Sequence, residues 1–109
     1  MRSKADLLQG SLDLLVLKTL AIEPLHGWGV SKRIQMLSQG VLEVNQGSLY
    51  PALYRLRDRG LIQSKEGLSD EGRAVKVYSL TTKGRKALQA GHDEWRLFAD
   101  AVEAILATG

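Results

Sequence analysis

Apolar residues recur along this chain at helical spacing in four places, and alternate in a strand-like way between the last two. Leu8, Leu12, Leu15, Val16 and Leu20 fall three and four apart, while Leu14, Leu17 and Ala21 cover the opposite side. This predicts a helix over residues 11–22, apolar nearly all round and therefore central and buried. Ser11 stands where a cap is wanted, and Asp13 suits the positive end of the helix dipole. Glu23-Pro24 ends the helix, because a residue before proline avoids helical geometry. A second helix follows the turn Leu25-His26-Gly27, with Val30, Ile34 and Leu37 as its inner stripe and Gly40 as its stop. Residues 41–44 read as a short strand-like bridge.

Asn45 then caps a third helix whose Leu49, Leu53 and Leu56 point inward. Gly60 ends it where a left-handed residue is wanted, after Arg57 and Arg59 in its last turn. Pro51 removes a backbone donor, so it is expected in the first turn or at a bend of the helix start. Residues 61–65 and 75–80 read as strands joined by a loose tip over 66–72, where Gly67 and Gly72 stand among small polar residues. Thr81-Thr82-Lys83-Gly84 opens a last helix that runs to about residue 107. The expected fold is mainly α with a small β-hairpin, a winged helix-turn-helix extended by a long C-terminal helix. Residues 1–80 form the winged region and residues 81–109 the final helix, in one compact domain without repeat or linker.

The last helix carries Trp95, Phe98, Val102 and Ile105 at a 3-4-3 spacing, with Leu88 one heptad before Trp95. Such a stripe is a helix-packing seam. A chain of 109 residues has a thin core, so the seam is expected to face a second copy, an intrachain contact being the alternative.

Composition narrows the chemistry. Without cysteine there are no disulfides and no thiolate metal sites. The longest apolar run, residues 14–17, cannot cross a bilayer, and no signal-peptide core follows the N-terminus. A cytoplasmic protein without membrane association is expected. His26 and His92 are far apart, no carboxylate-rich motif resembles a metal site, and Gly27-Trp28-Gly29 follows no strand. The expectation is therefore a protein that is not an enzyme and holds no cofactor or metal.

The net charge of +3 is unevenly spread: +2 over residues 46–63, +3 over 64–86 and −3 over 87–109. A basic middle beside an acidic end is expected to present only the middle to a polyanion. In a helix-turn-helix the N-terminal part of the second motif helix enters the major groove. That end offers Gln46, Gly47, Ser48 and Tyr50, with Tyr54 and Arg55 one turn on. Glutamine pairs both edges of adenine, serine bonds several bases, and glycine lets the backbone approach phosphate. The tyrosine hydroxyls suit phosphate, although Tyr50 packing on Pro51 or the wing is the alternative. Lys32, Lys65, Arg73 and Lys76 are the candidate phosphate contacts around this helix. Arg57 and Arg59 are read as stabilising the helix C-terminus.

The segment Val44-Asn45-Gln46-Gly47-Ser48-Leu49-Tyr50-Pro51-Ala52-Leu53, running on to Arg59-Gly60-Leu61-Ile62, resembles the recognition-helix segment of PadR-family transcriptional regulators. Leu25-His26-Gly27-Trp28 and Tyr78-Ser79-Leu80-Thr81-Thr82-Lys83-Gly84 are similar to two further motifs of that family, in the same order. The resemblance implies a homodimer that binds double-stranded operator DNA as a repressor, released in some members by a small aromatic effector. Where a drug-sensing branch of the family stacks flat molecules on tryptophan, this chain has Trp95, for which packing across the dimer is the alternative. Many members carry a tight basic cluster in the wing. Gly72-Arg73-Ala74-Val75-Lys76 departs from it, so the contact of the missing arginine does not carry over. A winged-helix module for protein–protein interaction is the other reading, and the Gln, Ser, Tyr and Arg of the exposed helix face argue against it.

Overall fold

The computed structural model describes residues 11–109 of the chain; Leu8, placed above on the first helix, lies outside them. Helix α1 (Leu12–Ile22) leads into a two-residue strand β1 (Leu25–His26), then α2 (Gly27–Leu37) and α3 (Gln46–Asp58). The hairpin β2 (Ile62–Leu68) and β3 (Ala74–Leu80) follows, and α4 (Thr82–Leu106) closes the chain. The strands form one antiparallel sheet in the order β1-β3-β2. Mainly helical content with a small sheet agrees with the expected winged arrangement.

Helix α1 is central, touching α2, α3, β3 and α4. Its Leu12, Val16, Leu17 and Leu20 are buried on more than one side, which its all-round apolar pattern requires. Ser11 occupies the N-cap position, but its side chain makes no capping hydrogen bond. Capping does occur at the other helices. The Asn45 side chain accepts from the Ser48 N–H at 2.9 Å, and the Thr81 hydroxyl accepts from the Gly84 N–H at 3.0 Å. On α3, Leu49, Ala52, Leu53 and Leu56 are completely buried, so one whole side of that helix is committed to the core. The helix continues through Pro51, which lies in its second turn rather than its first.

Three local expectations need correction. Leu37 is 56% exposed, because α2 ends there and the chain turns away through the positive φ angles of Gln39 and Gly40. Residues 41–44 form no strand. The Leu42 N–H donates to the Ser38 hydroxyl at 3.0 Å, folding this segment onto the end of α2. The sheet takes its third strand from Leu25 and His26 instead, which pair with Tyr78 and Val77. The hairpin strands are also longer than expected, because their register holds from Ile62↔Leu80 out to Leu68↔Ala74.

The end of α3, the start of β2 and the start of α4 meet at one tight junction. Gly60 has φ +75°, and the Leu61 N–H returns to the Leu56 carbonyl at 2.9 Å. The Thr81 hydroxyl donates to the Gly60 carbonyl at 2.7 Å, and the Thr81 N–H donates to the Leu61 carbonyl at 3.1 Å. Gly84 is buried against that same carbonyl, where a Cβ would lie 2.0 Å from the oxygen. Replacing a helical glycine with alanine ordinarily stabilises by up to about 1 kcal/mol, less at a helix end. Here the sign reverses: Gly84→Ala is expected to destabilise by about 2–3 kcal/mol through overpacking, read as a lower urea midpoint at unchanged slope.

Candidate nucleic-acid interface

The outward side of α3 faces the hairpin across an open groove of about 510 Å³. The helix contributes Tyr50 and Tyr54; the hairpin contributes Arg73, Lys76 and the residues of its tip; the first turn of α2 contributes Trp28. Tyr50 is half-buried and Tyr54 is 44% exposed, and their rings lie 6.1 Å apart at 44°. Tyr50 packs against the start of α2. A Cβ on Gly27 would sit 2.6 Å from the Tyr50 hydroxyl oxygen, so only glycine at the start of α2 leaves room for that ring.

Gln46, Gly47 and Ser48 are exposed at the N-terminal end of α3, on the turn that Asn45 caps. The Ser48 N–H is taken by the Asn45 cap, whereas the first-turn N–H groups of Gln46 and Gly47 precede any residue that could pair them within the helix. Arg73 is held at the hairpin tip, where its N–H donates to the Ser69 hydroxyl at 3.1 Å and its carbonyl accepts from the Ser69 N–H at 2.9 Å. Gly72, at φ +81°, makes that tight turn possible. Lys76 stands opposite Glu66 in the sheet, so its charge is partly countered. Asp70 and Glu71 also border the groove, so its rim carries both signs of charge. Lys65 is exposed on the edge strand β2, opposite Val77, and does not line the groove.

Arg55 stands apart from the other candidates. Its guanidinium donates to the Asp13 carboxylate at 2.9 Å, tying α3 to α1 on the side away from the tyrosines. Helical spacing alone could not exclude it from the outward face, because a residue beside Tyr54 borders both sides. Arg57, read above as a helix-end residue, lies 5.2 Å from the Tyr54 ring in a cation–π contact. Tyr50, Tyr54 and Arg57 fall four and three residues apart on one stripe, a signal that was present in the sequence. Beneath them Tyr78 is buried, and burial raises its phenol above the usual tyrosine range, reinforced by Tyr54 and Tyr50 and opposed by Arg57. It therefore stays neutral under the tyrosine pair.

On the other side of the molecule α4 runs for 25 residues, about 37 Å at helical rise. It leaves its apolar stripe largely uncovered: Trp95 is 50% exposed, Phe98 63% and Ile105 74%. Val102 sits at the margin of exposure, and Leu88, nearer the core, is half-buried. Trp95 and Phe98, with ring centres 6.4 Å apart, border a second open groove of about 940 Å³. Leu14 and Leu17 of α1 and Arg55 of α3 form its other walls. No helix among the described residues is long and apolar enough to cross a membrane.

Comparison with known proteins agrees with this geometry. A transcriptional regulator of Mycobacterium tuberculosis is 38% identical over 80 residues, covering 73% of this chain and 71% of that protein. One from Escherichia coli is 30% identical over 95 residues, covering 87% of this chain but 44% of the relative. The crystal structure of a PadR-like transcriptional regulator from Bacillus cereus matches with a TM-score of 0.82 at 27% identity, covering 94% of this chain and 98% of that one. A transcriptional regulator from Clostridium thermocellum matches equally well, with a TM-score of 0.82 at 25% identity over 91% and 96% of the two chains. The model of the transcriptional regulator PadR-like family matches residues 16–90. By sequence and by fold, the chain belongs to the PadR-like family of DNA-binding transcriptional regulators.

Proposed function

We propose that this protein is a repressor that binds an inverted-repeat operator as a homodimer, with α3 in the major groove and the hairpin as a wing on the flanking backbone. The observation that carries this reading is the groove between α3 and the hairpin. It gathers Tyr50, Tyr54, Arg73 and Lys76 beside the exposed Gln46, Gly47 and Ser48. Gln46 and Ser48 read base edges, the tyrosine hydroxyls bond phosphate, and Arg73 and Lys76 neutralise it. Arg57 joins them by holding the Tyr54 ring, whereas the Asp13 contact of Arg55 favours a role in positioning α3. Two such helices related by a two-fold axis reach successive major grooves about 34 Å apart.

Residues 81–109 are the dimerisation helix in this reading. A stripe of Trp95, Phe98, Val102 and Ile105 left open to water on a lone chain is supplied with a cover by a second copy. The groove beside Trp95 is then where a flat aromatic effector sits, between the two long helices, and its occupant shifts their separation and so the spacing of the recognition helices.

Selection of bound duplexes from a random pool tests the DNA reading directly; it is expected to return an inverted repeat with half-sites one helical turn apart. On that site Gln46→Ala should cost about 1–3 kcal/mol and relax one position. Arg73→Ala should weaken all sequences alike and lower the slope of log affinity against log salt by about one. An unstructured pool after selection would refute the operator.

For the dimer, Phe98→Glu places a charge in the seam. Light scattering is expected to show half the native mass with the fold retained, and DNA affinity should fall with it. A dimer that survives this change excludes the α4 seam.

The effector is tested by tryptophan fluorescence. Planar aromatic cations are expected to quench saturably, and Trp95→Ala should abolish this while the dimer persists. Quenching that never saturates argues against the site for these ligands.

A further inference from the structure

The Asp13–Arg55 ion pair that ties α3 to α1 also lies in the wall of the groove beside Trp95. Its side chains are 37% and 56% exposed, so a molecule in the groove can reach both. Helix α4 comes against α1 at Gly91, where a Cβ would stand 3.1 Å from Leu14 Cδ1. Trp95 follows Gly91 by one turn of α4, and Asp13 precedes Leu14 in the chain. The aromatic wall and the ion pair are thus both within a turn of that contact.

The charges along this groove are Asp13 and Glu94 against Arg55 and Arg59. Glu94 and Arg59 are exposed and, among the described residues, neither forms an ion pair. Arg59 stands one turn after Arg55, and like charges at that spacing repel on a helix. Asp13 is the partner that offsets one of them. The exposed faces of Trp95 and Phe98 attract a cation, and Glu94, beside Trp95 in the chain, adds a carboxylate. A flat cation stacked there brings positive charge toward Asp13 and against both arginines. An exposed ion pair contributes little by itself, so it yields to a competing charge that aromatic contact holds in place.

We propose that the Asp13–Arg55 pair is the switch by which an aromatic cation in the Trp95 groove acts on α3. The ligand takes Asp13 as its counter-ion, Arg55 is released, and α3 loses its tie to α1. The inference rests on the effector and DNA readings above and supplies a route between them within one chain, besides the separation of two copies. The charge of the ligand, not its bulk, is then what α3 responds to. Leu49, Leu53 and Leu56 keep the helix in the core, so it stays folded while its outward face shifts. The preference of the ligand for the released state equals the weakening of DNA binding, and the relation is reciprocal.

The test uses the full chain with Trp28→Phe, so that Trp95 alone reports binding by fluorescence. It also carries 3-fluorotyrosine, whose Tyr54 resonance is assigned by the line missing from Tyr54→Phe. Tyr54 borders the α3–hairpin groove and not this one, so a ligand at Trp95 moves its line only through α3. Proflavine, a planar cation, and acridone, a neutral ring system of the same shape, are titrated in without DNA. Proflavine is expected to quench Trp95 saturably and to shift the Tyr54 line in step, whereas acridone quenches without that shift. Asp13→Asn and Arg55→Gln, each confirmed as folded by thermal melting, should place the Tyr54 line at its proflavine-bound position before any ligand is added. Neither variant should then show a further shift with proflavine. Without ligand, Asp13→Asn should bind a mixed-sequence duplex about fivefold more weakly, the low end of ordinary coupling between sites. A Tyr54 line that stays in place while quenching saturates, or that moves equally with acridone, overturns the switch and leaves the effector site standing. A line that still moves fully in either variant overturns it as well. Proflavine quenching that never saturates removes the effector reading and the switch together.

Discussion

The junction of Gly60, Leu61, Thr81 and Gly84 is the constraint on which the arrangement of the molecule depends. Three elements leave it in different directions: α3 backward, the hairpin outward and α4 along the opposite side. Two carbonyls, those of Gly60 and Leu61, accept from Thr81, and the missing side chain of Gly84 lets α4 start in contact with the second. Lys83 adds a donor to the Arg59 carbonyl at 2.8 Å. Carbonyls at the end of one helix are thus satisfied by the first turn of another, which removes the freedom that a loop would have left between them. The start of α4 and the end of α3 are therefore joined by a few short hydrogen bonds.

Helix α3 is the element with the most demands on it. Leu49, Ala52, Leu53 and Leu56 commit one side to the core without any exposure. Arg55 commits a second side to α1 through Asp13. The stripe of Tyr50, Tyr54 and Arg57 and the first turn face outward, with Arg57 also 3.7 Å from the Asp58 carboxylate. Rigid attachment on two sides with chemistry on the third is what a helix needs if it is to enter a groove without bending away. The tyrosines are themselves supported, Tyr50 by the space at Gly27 and both by the neutral, buried Tyr78 beneath them.

Helix α4 poses the opposite problem, since only Gly84 of its 25 residues is fully buried. An isolated helix gains little stability from propensity alone, and packing of its apolar side supplies most of it. The second copy we propose would supply that packing, and it would also set the distance between the two α3 helices. Burial, DNA spacing and effector response then depend on one surface.

The elements were largely legible in the sequence. Periodicity placed all four helices, because each carries an apolar stripe repeated over several turns, and Asn45, Gly60 and Thr81 marked boundaries through capping chemistry that acts within three or four residues. The outward tyrosines followed from the inward leucines by subtraction. What local pattern could not contain was decided by tertiary structure. A two-residue strand at Leu25 and His26 has no period and exists only because β3 runs beside it. Arg55 was drawn to Asp13, 42 positions away. The sequence by itself determined the apolar and polar stripes of each helix and so the chemistry each can offer. Only the packing of distant segments decided which exposed groups stand together, because a contact across the fold leaves no mark on the spacing of either partner.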